Sequence, residues 1–354
     1  MTPTELLCEP HWSAGVPPAS PAEGRAGRPR SEGERDVATE KILLGDIGGT
    51  TARFAVLTGG ALGPIDHLPV SQYRSVVDAV AGYLGNQGDR RDIGAAVLGV
   101  AGPIESGRCI LVNSQWAIDA VELRAAFGFG PIHLINDFEA VAYALPSMGE
   151  RDVKAIAGGK PLRAESMAVM GPGTGLGMAG VVRRGDRVTV VATEGGHTTL
   201  PGVTAREDAV IAHLRDRFDH VSAERVLSGP GLENLYEAIA AIDGVAVTNR
   251  TAAEITQRAL DRSCPVSVAA VDLFCAMLGT VAGDLALMFR ARGGVYIAGG
   301  IAPRIVELLA RSEFHARFMA KGRFRPYLEA IPVAVIVNPD PAFLGLKAVA
   351  LERR

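Results

Sequence analysis

The chain has 354 residues, 48% hydrophobic and 21% charged, which is long enough for two domains and a sizeable buried core. A formal net charge of −3 leaves no basic footprint for nucleic acid. The four cysteines, Cys8, Cys109, Cys264 and Cys275, contain no CxxC pair, so neither a disulfide framework nor a zinc site organises the chain, and a reducing cytoplasm is the expected compartment.

The first 40 residues hold six of the 21 prolines, with Gly, Arg and Glu interspersed and little apolar periodicity. Residues 1–40 are expected to form a disordered N-terminal extension. Acids at Glu5, Glu9, Glu23, Glu32 and Glu34 argue against a signal or transit peptide. From Lys41 the pattern becomes α/β. Residues 42–44 and 52–57 flank the segment GDIGGTTAR as a hairpin, 95–100 read as a strand, and 132–135 form a short strand feeding a helix over 138–145. A second unit begins in the same way: a strand at 167–170, the turn GPGTGLG at 171–177, then a strand at 178–182. Helical stretches at 205–219 and 266–290 follow, then a strand at Gly294–Ile297, the turn AGGIAP and a helix over 304–311. Asp272 and Asp284 interrupt the most apolar stretch, 266–289, and would be costly in hydrocarbon, so it reads as a buried or interface helix and no membrane association is expected. The repeated order of strand, Gly turn and strand predicts two related domains with a cleft between them.

Glycine turns allow close backbone approach, and their successive N–H groups form anion sites. Spread over most of the chain after apolar runs, the three turns read as a split cradle for nucleotide phosphates. Neither the Walker GxxxxGK[ST] loop nor a dinucleotide GxGxxG is present. Moving a phosphoryl group to a hydroxyl needs the phosphate charge held, the acceptor aligned and a base for its proton. Asp137, in INDFEA at a strand's end and a helix's start, is the candidate base; the commoner job for Asp there is an N-cap. With an ordinary carboxylate pKa of about 3.9 it would be ionised at neutral pH, and the helix N-terminus favours that form. Asp46, beside Gly48, Gly49 and Thr50, can reach a hydrated Mg²⁺, although Asp before Gly is also ordinary turn chemistry.

The blocks GDIGGTTARFAV, LINDFEAVAYALP, GPGTGLGMA, EGGHTTLP, HVSAERVLSGPGLENLY and VYIAGGIAPR, in this order from Lys41 to the C-terminus, resemble the bacterial ATP-dependent glucokinases of the sugar kinase, Hsp70 and actin superfamily. The resemblance implies an α/β fold of two related ribonuclease-H-like or actin-like ATPase domains around a cleft. A small domain would span 41–147 and regain the C-terminal 338–354 helix, and a large domain would span 148–337. It implies ATP-dependent phosphorylation of glucose at the 6-hydroxyl with Mg²⁺, the alternatives being another hexose (mannose, fructose or an amino sugar) or a non-catalytic sugar sensor. Asp137 is then the catalytic base; Asn113, Asn136, Asp137, Glu194, His197 and Glu224 bind sugar. Gly45, Asp46, Ile47, Gly48, Gly49, Thr50, Gly173, Thr174, Gly175, Gly299 and Gly300 bind nucleotide, with Asp46 on Mg²⁺ through water. Similar proteins are cytoplasmic homodimers, and the apolar 266–289 helix is a candidate interface. Many relatives carry Asn where this chain has Thr51, and small residues where it has Pro172.

Overall fold

The computed structural model describes residues 41–86, 93–111, 116–162, 164–185 and 187–353. The expected extension at 1–40 and Asn113 lie outside them.

The first sheet starts with the hairpin β1 (Lys41–Ile47) and β2 (Thr51–Thr58), edged by β3 (Ala61–Leu62) and β4 (Asp66–Pro69). After helix α1 (Val76–Asn86) the chain returns as β5 (Ile93–Val100), parallel to β1. A small antiparallel sheet, β6 (Ile104–Glu105), β7 (Arg108–Ile110) and β8 (Ala117–Asp119), leads into α2 (Ala120–Phe127), and β9 (Ile132–Asn136) adds in parallel to β5 before α3 (Asp137–Ala144). The apolar runs of β1 and β5 follow from their place in the middle of this sheet, where both faces are covered.

The second sheet repeats that plan. Strands β10 (Val153–Ala157), β11 (Met167–Pro172), β12 (Leu176–Arg184) and β13 (Arg187–Thr193) are followed by α4 (Ala205–Arg215), α5 (Gly229–Ile242), α6 (Ala252–Leu260) and α7 (Pro265–Phe289). Then come β14 (Gly294–Ile297), α8 (Val306–Arg311), α9 (Phe314–Met319), α10 (Arg325–Glu329), β15 (Val333–Ile336) and α11 (Pro341–Glu352). Strand order is β10-β15-β14-β11-β12-β13. The hairpin β11–β12 with β14 and β15 parallel to it matches the hairpin β1–β2 with β5 and β9 parallel to it. This is the two-domain actin-like ATPase fold.

Helix α7 is a core element. Its segment 274–283 is buried among α5, α6 and α9, and its glycines let α9 cross at backbone distance: a Cβ on Gly279 would lie 2.1 Å from the Phe314 carbonyl oxygen, and one on Gly283 2.5 Å from that of Phe318. The apolar face that recommended this helix as a dimer contact is consumed within its own chain, leaving Asp272 and Met288 outside.

Between the sheets lie α3 and α11. Leu44, Ala55 and Val97 from the first sheet, Val169 and Val181 from the second, and Ala140 and Phe343 from the helices share one cluster. At the helix crossing a Cβ on Gly345 would fall 1.7 Å from the Ala140 carbonyl oxygen, so only glycine permits this approach. The chain passes between the sheets at 148–152 and again at 337–340, and these passages are bonded together. Val337 and Asn338 donate their N–H groups to the Asp152 carbonyl at 2.8 and 3.1 Å, and Asn338 Nδ2 donates to Asp152 Oδ1 at 2.6 Å.

Candidate active site

Parallel pairing of β1, β5 and β9 brings their C-terminal ends to one edge. Asp46 is in register with Gly99, and Asn136 with Val100. A Cβ on Gly99 would sit in ordinary contact, 3.7 Å from Asp137 Cα, and Asp46 is close enough for its charge to act on Asp137. Ligands of open α/β sheets bind at such strand ends.

The N-cap role weighed for Asp137 belongs to Asn136. Its Oδ1 accepts from Phe138 N–H at 2.8 Å and Glu139 N–H at 3.2 Å, and Glu139 Oε2 accepts from Asn136 N–H at 3.4 Å, completing a capping box. Asn136 keeps its Nδ2 amide for other partners. Asp137 is the first helical residue, and its Oδ1 accepts from Phe138 N–H at 2.8 Å. Burial first, and the Asp46 carboxylate second, push Asp137 up to about 6; the Phe138 N–H pulls down and Glu194 pushes further up. The helix terminus alone leads to the expectation of an ordinary acid, but desolvation and two neighbouring carboxylates outweigh it. At pH 7 about nine-tenths of such groups are ionised, with far more basicity than an ordinary aspartate.

Asp46 is itself held up by burial, opposed by Arg53. Arg53 Nη1 donates to Asp46 Oδ2 at 2.8 Å, its Nε lies 3.5 Å from Asp340 Oδ1, and His67 Nε2 lies 3.4 Å from Asp340 Oδ2. The bond from Arg53 engages Oδ2 of Asp46, not Oδ1. The neighbouring turn closes through Gly48 N–H to the Thr51 carbonyl at 3.0 Å, with Thr50 exposed. Among the described residues no group of three or more His, Cys, Asp or Glu could hold a metal ion, so the donor set suits an ion held mainly by water and phosphate oxygens, with one protein carboxylate.

The second turn forms the tip of β11–β12. Gly173 N–H donates to the Gly175 carbonyl at 2.8 Å and Gly229 N–H to the Gly173 carbonyl at 2.8 Å, while space opens where a Gly173 Cβ would point. Thr174 is exposed. The third turn lies against it: Gly299 has φ +82°, and a Cβ there would meet the Pro172 carbonyl oxygen at 2.3 Å. Gly300 faces open space. The Phe138 ring seats α3 on this hairpin, filling the volume that Cβ atoms on the paired Gly171 and Gly177 would take, at 2.6 and 2.3 Å.

Glu194, His197 and Glu224 converge beside that tip. His197 Nε2 is 3.9 Å from Glu194 Oε2 and its Nδ1 is 3.9 Å from Glu224 Oε1; Glu224 Oε2 accepts from Leu176 N–H at 2.9 Å. Glu224 is anchored further by its own N–H to the Gly196 carbonyl at 2.9 Å. It is therefore not a surface partner of Arg225, whose guanidinium stacks 4.3 Å from the centre of the Phe218 ring. Trp116 is buried and belongs to the core of the first sheet. Sequence reasoning missed Arg53, Phe138 and Asp340. The only available signal for Arg53 was a charge inside an otherwise apolar strand.

A glucokinase family model matches residues 43–353. A curated glucokinase of Paramagnetospirillum magneticum is 44% identical over 317 residues, covering 89% of this chain and 98% of its own. One from Nitrobacter hamburgensis is 43% identical over 311 residues, covering 88% and 97%. The crystal structure of a glucokinase from an Antarctic psychrotroph aligns with TM-score 0.79 at 37% identity, covering 88% of this chain and 99% of that one. A ROK family glucokinase from Streptomyces griseus, solved with glucose and AMPPNP, shares the fold at TM-score 0.60 and 20% identity, covering 88% and 99%.

Proposed function

This chain belongs to the glucokinase family and uses ATP to phosphorylate glucose, and on that premise we propose that Asp137 removes the proton of the 6-hydroxyl as the γ-phosphoryl group leaves ATP. The observation that carries this reading is a half-buried carboxylate at the first residue of α3, where β9 ends, with Oδ1 held by Phe138 N–H; burial and the Asp46 carboxylate push it up to about 6. In a loose phosphoryl transfer the acceptor proton becomes acidic late, so a base of this strength is ionised beforehand and takes the proton as the O–P bond forms. The product is glucose 6-phosphate, with ADP released.

Glu194, His197, Glu224 and the Asn136 amide are the proposed sugar contacts, with Asn113 in addition. Such groups accept from, or donate to, adjacent hydroxyls, and the 2.9 Å bond from Leu176 N–H fixes the Glu224 carboxylate before sugar arrives. Gly45, Ile47, Gly48, Gly49 and Thr50 line one side of the proposed phosphate site, and Gly173, Thr174 and Gly175 the other. Gly299 and Gly300 stand toward the nucleoside. Asp46 would hold Mg²⁺ through water; the ion, when bound, screens the phosphate charge. The proposed domains are 41–147 with 338–354, and 148–337, and closure of the cleft would exclude water as a competing acceptor. A cytoplasmic homodimer is proposed, with its contact elsewhere than α7.

The test is ADP formation with Mg-ATP against a panel of hexoses, with Asp137→Asn run beside the native protein. Turnover strongest with glucose and lost by more than about a hundredfold in the variant is expected. Full turnover in the variant would remove Asp137 from the role of base.

A further inference from the structure

The carboxylate proposed to face the cation is physically joined to the place where the chain passes between the sheets. Asp46 bonds Arg53, Arg53 reaches Asp340, and Asp340 lies in the 337–340 passage. Asp340 N–H in turn donates to Asn338 Oδ1 at 2.9 Å, and Asn338 is bonded to Asp152 of the other passage at 2.6 Å. A single guanidinium thus hydrogen-bonds a carboxylate on β1 and stands 3.5 Å, as an ion pair without a hydrogen bond, from a carboxylate beside the paired passages. Its planar fork suits this task, since its donors are fixed relative to one another and cannot swing independently. Partial burial raises the cost of losing the pair: the Asp46 and Asp340 side chains are each 14% exposed, so little water reaches either acid to offset a lost guanidinium.

We propose that Arg53 is a positioning residue that fixes the Asp46 carboxylate for the cation and ties its orientation to the interdomain hinge through Asp340. The inference rests on the proposed readings of Asp46 as the cation-side carboxylate and of the paired passages as the hinge between the two proposed domains. Motion at 337–340 would shift Asp340 relative to β2, and Arg53 would pass that shift to Asp46 Oδ2. Cation binding and closure are then coupled through one side chain that need not touch either substrate. Such coupling is reciprocal, so a cation on Asp46 favours the hinge position in which Arg53 spans both acids.

Arg53→Met, Arg53→Lys, Asp340→Asn and the Arg53→Met/Asp340→Asn double variant test this. Two readouts are used: steady-state kinetics, and Mn²⁺ binding to the AMPPNP-loaded protein by calorimetry. Arg53→Met is expected to lower kcat by roughly 30-fold with glucose KM within about threefold, and to weaken Mn²⁺ by about tenfold, while AMPPNP without metal binds as in the native protein. Arg53→Lys should recover only part, because an ammonium cannot span both acids. The double variant should be no worse than Arg53→Met alone, as expected when Asp340 acts through Arg53. Native kcat and Mn²⁺ affinity in Arg53→Met would overturn the proposal, as would losses that multiply in the double variant. A purely packing role would lower the melting temperature without splitting kcat from KM or metal-dependent from metal-free binding. Asp46→Asn, run alongside, isolates the underlying reading. Unchanged Mn²⁺ binding there would sink the cation assignment itself; loss there without loss in Arg53→Met would sink only the coupling.

Discussion

Replacing Asp137 by Asn should make the resting protein more stable while disabling it. Ionised Asp137 is disfavoured in the folded chain, which raises its pKa from the ordinary 3.8 to about 6. A rise of that size destabilises the folded chain by about 3 kcal/mol at pH 7.5, where the group is ionised both folded and unfolded. The sign follows from the direction: the folded state holds the proton more tightly, so the penalty is fully present above the folded pKa and fades as pH falls through about 6 toward 3.8. By pH 4.5 about 1 kcal/mol remains. Asn keeps an oxygen for Phe138 N–H and carries no charge, so it escapes the penalty without opening a cavity. Urea unfolding of ligand-free protein should therefore place Asp137→Asn up to about 3 kcal/mol above native at pH 7.5, with the gap narrowing on acidification. The native kcat/KM should lose a factor of about ten per pH unit below about 6. An Asn variant no more stable than native at pH 7.5, or a gap that does not change with pH, would refute the assignment of strain to this carboxylate.

Gly345→Ala would drive a methyl group to 1.7 Å from the Ala140 carbonyl oxygen, forcing α3 and α11 apart; a loss of more than about 3 kcal/mol in urea unfolding, or failure to accumulate as soluble protein, is expected. Gly175→Ala would set a Cβ 2.5 Å from Glu224 Oε2 and displace that carboxylate, raising glucose KM about tenfold at nearly native melting temperature; an unchanged KM would detach Glu224 from the sugar. Among the described cysteines, iodoacetamide should modify Cys264 first. Burial opposes ionisation of its thiol, but hydrogen bonds from Ser267 and Arg250 bring it to about 7, whereas burial lifts Cys275 to about 12. Peptide mapping at pH 7.5 reads the order directly.

Local signals in the sequence were strong where an apolar run met a glycine turn. Both hairpins, the 294–297 strand and the helix after Asn136 lie where periodicity and turn chemistry point. The last helix starts at Pro341, not within the preceding residues, because Asn338-Pro339-Asp340-Pro341 holds the residues before each proline away from helical geometry. The stretch at 205–219 stops at Arg215, where Asp216 closes the helix and 216–219 turn away. Less was legible wherever the effect is nonlocal. Nothing near Asp137 in sequence announces that Asp46 and Glu194 stand beside it, so its basicity emerged only from the packed chain. The apolar length of α7 looked equally like core or contact surface; glycines at 279 and 283 decide the matter only once α9 lies across them.

The acids gathered in the cleft also set the terms on which a nucleotide arrives. Asp46, Asp137, Asp340, Glu194 and Glu224 outnumber the Arg53 guanidinium paired with the first and third of them, so on the proposed site assignment a triphosphate without its cation would meet a field of its own sign. Simple salt, which usually slows the meeting of steered partners, should here quicken the entry of uncomplexed ATP by screening that field within about 10 Å. On that assignment the cleft would favour the metal complex over the bare nucleotide before any phosphate oxygen reached a glycine turn.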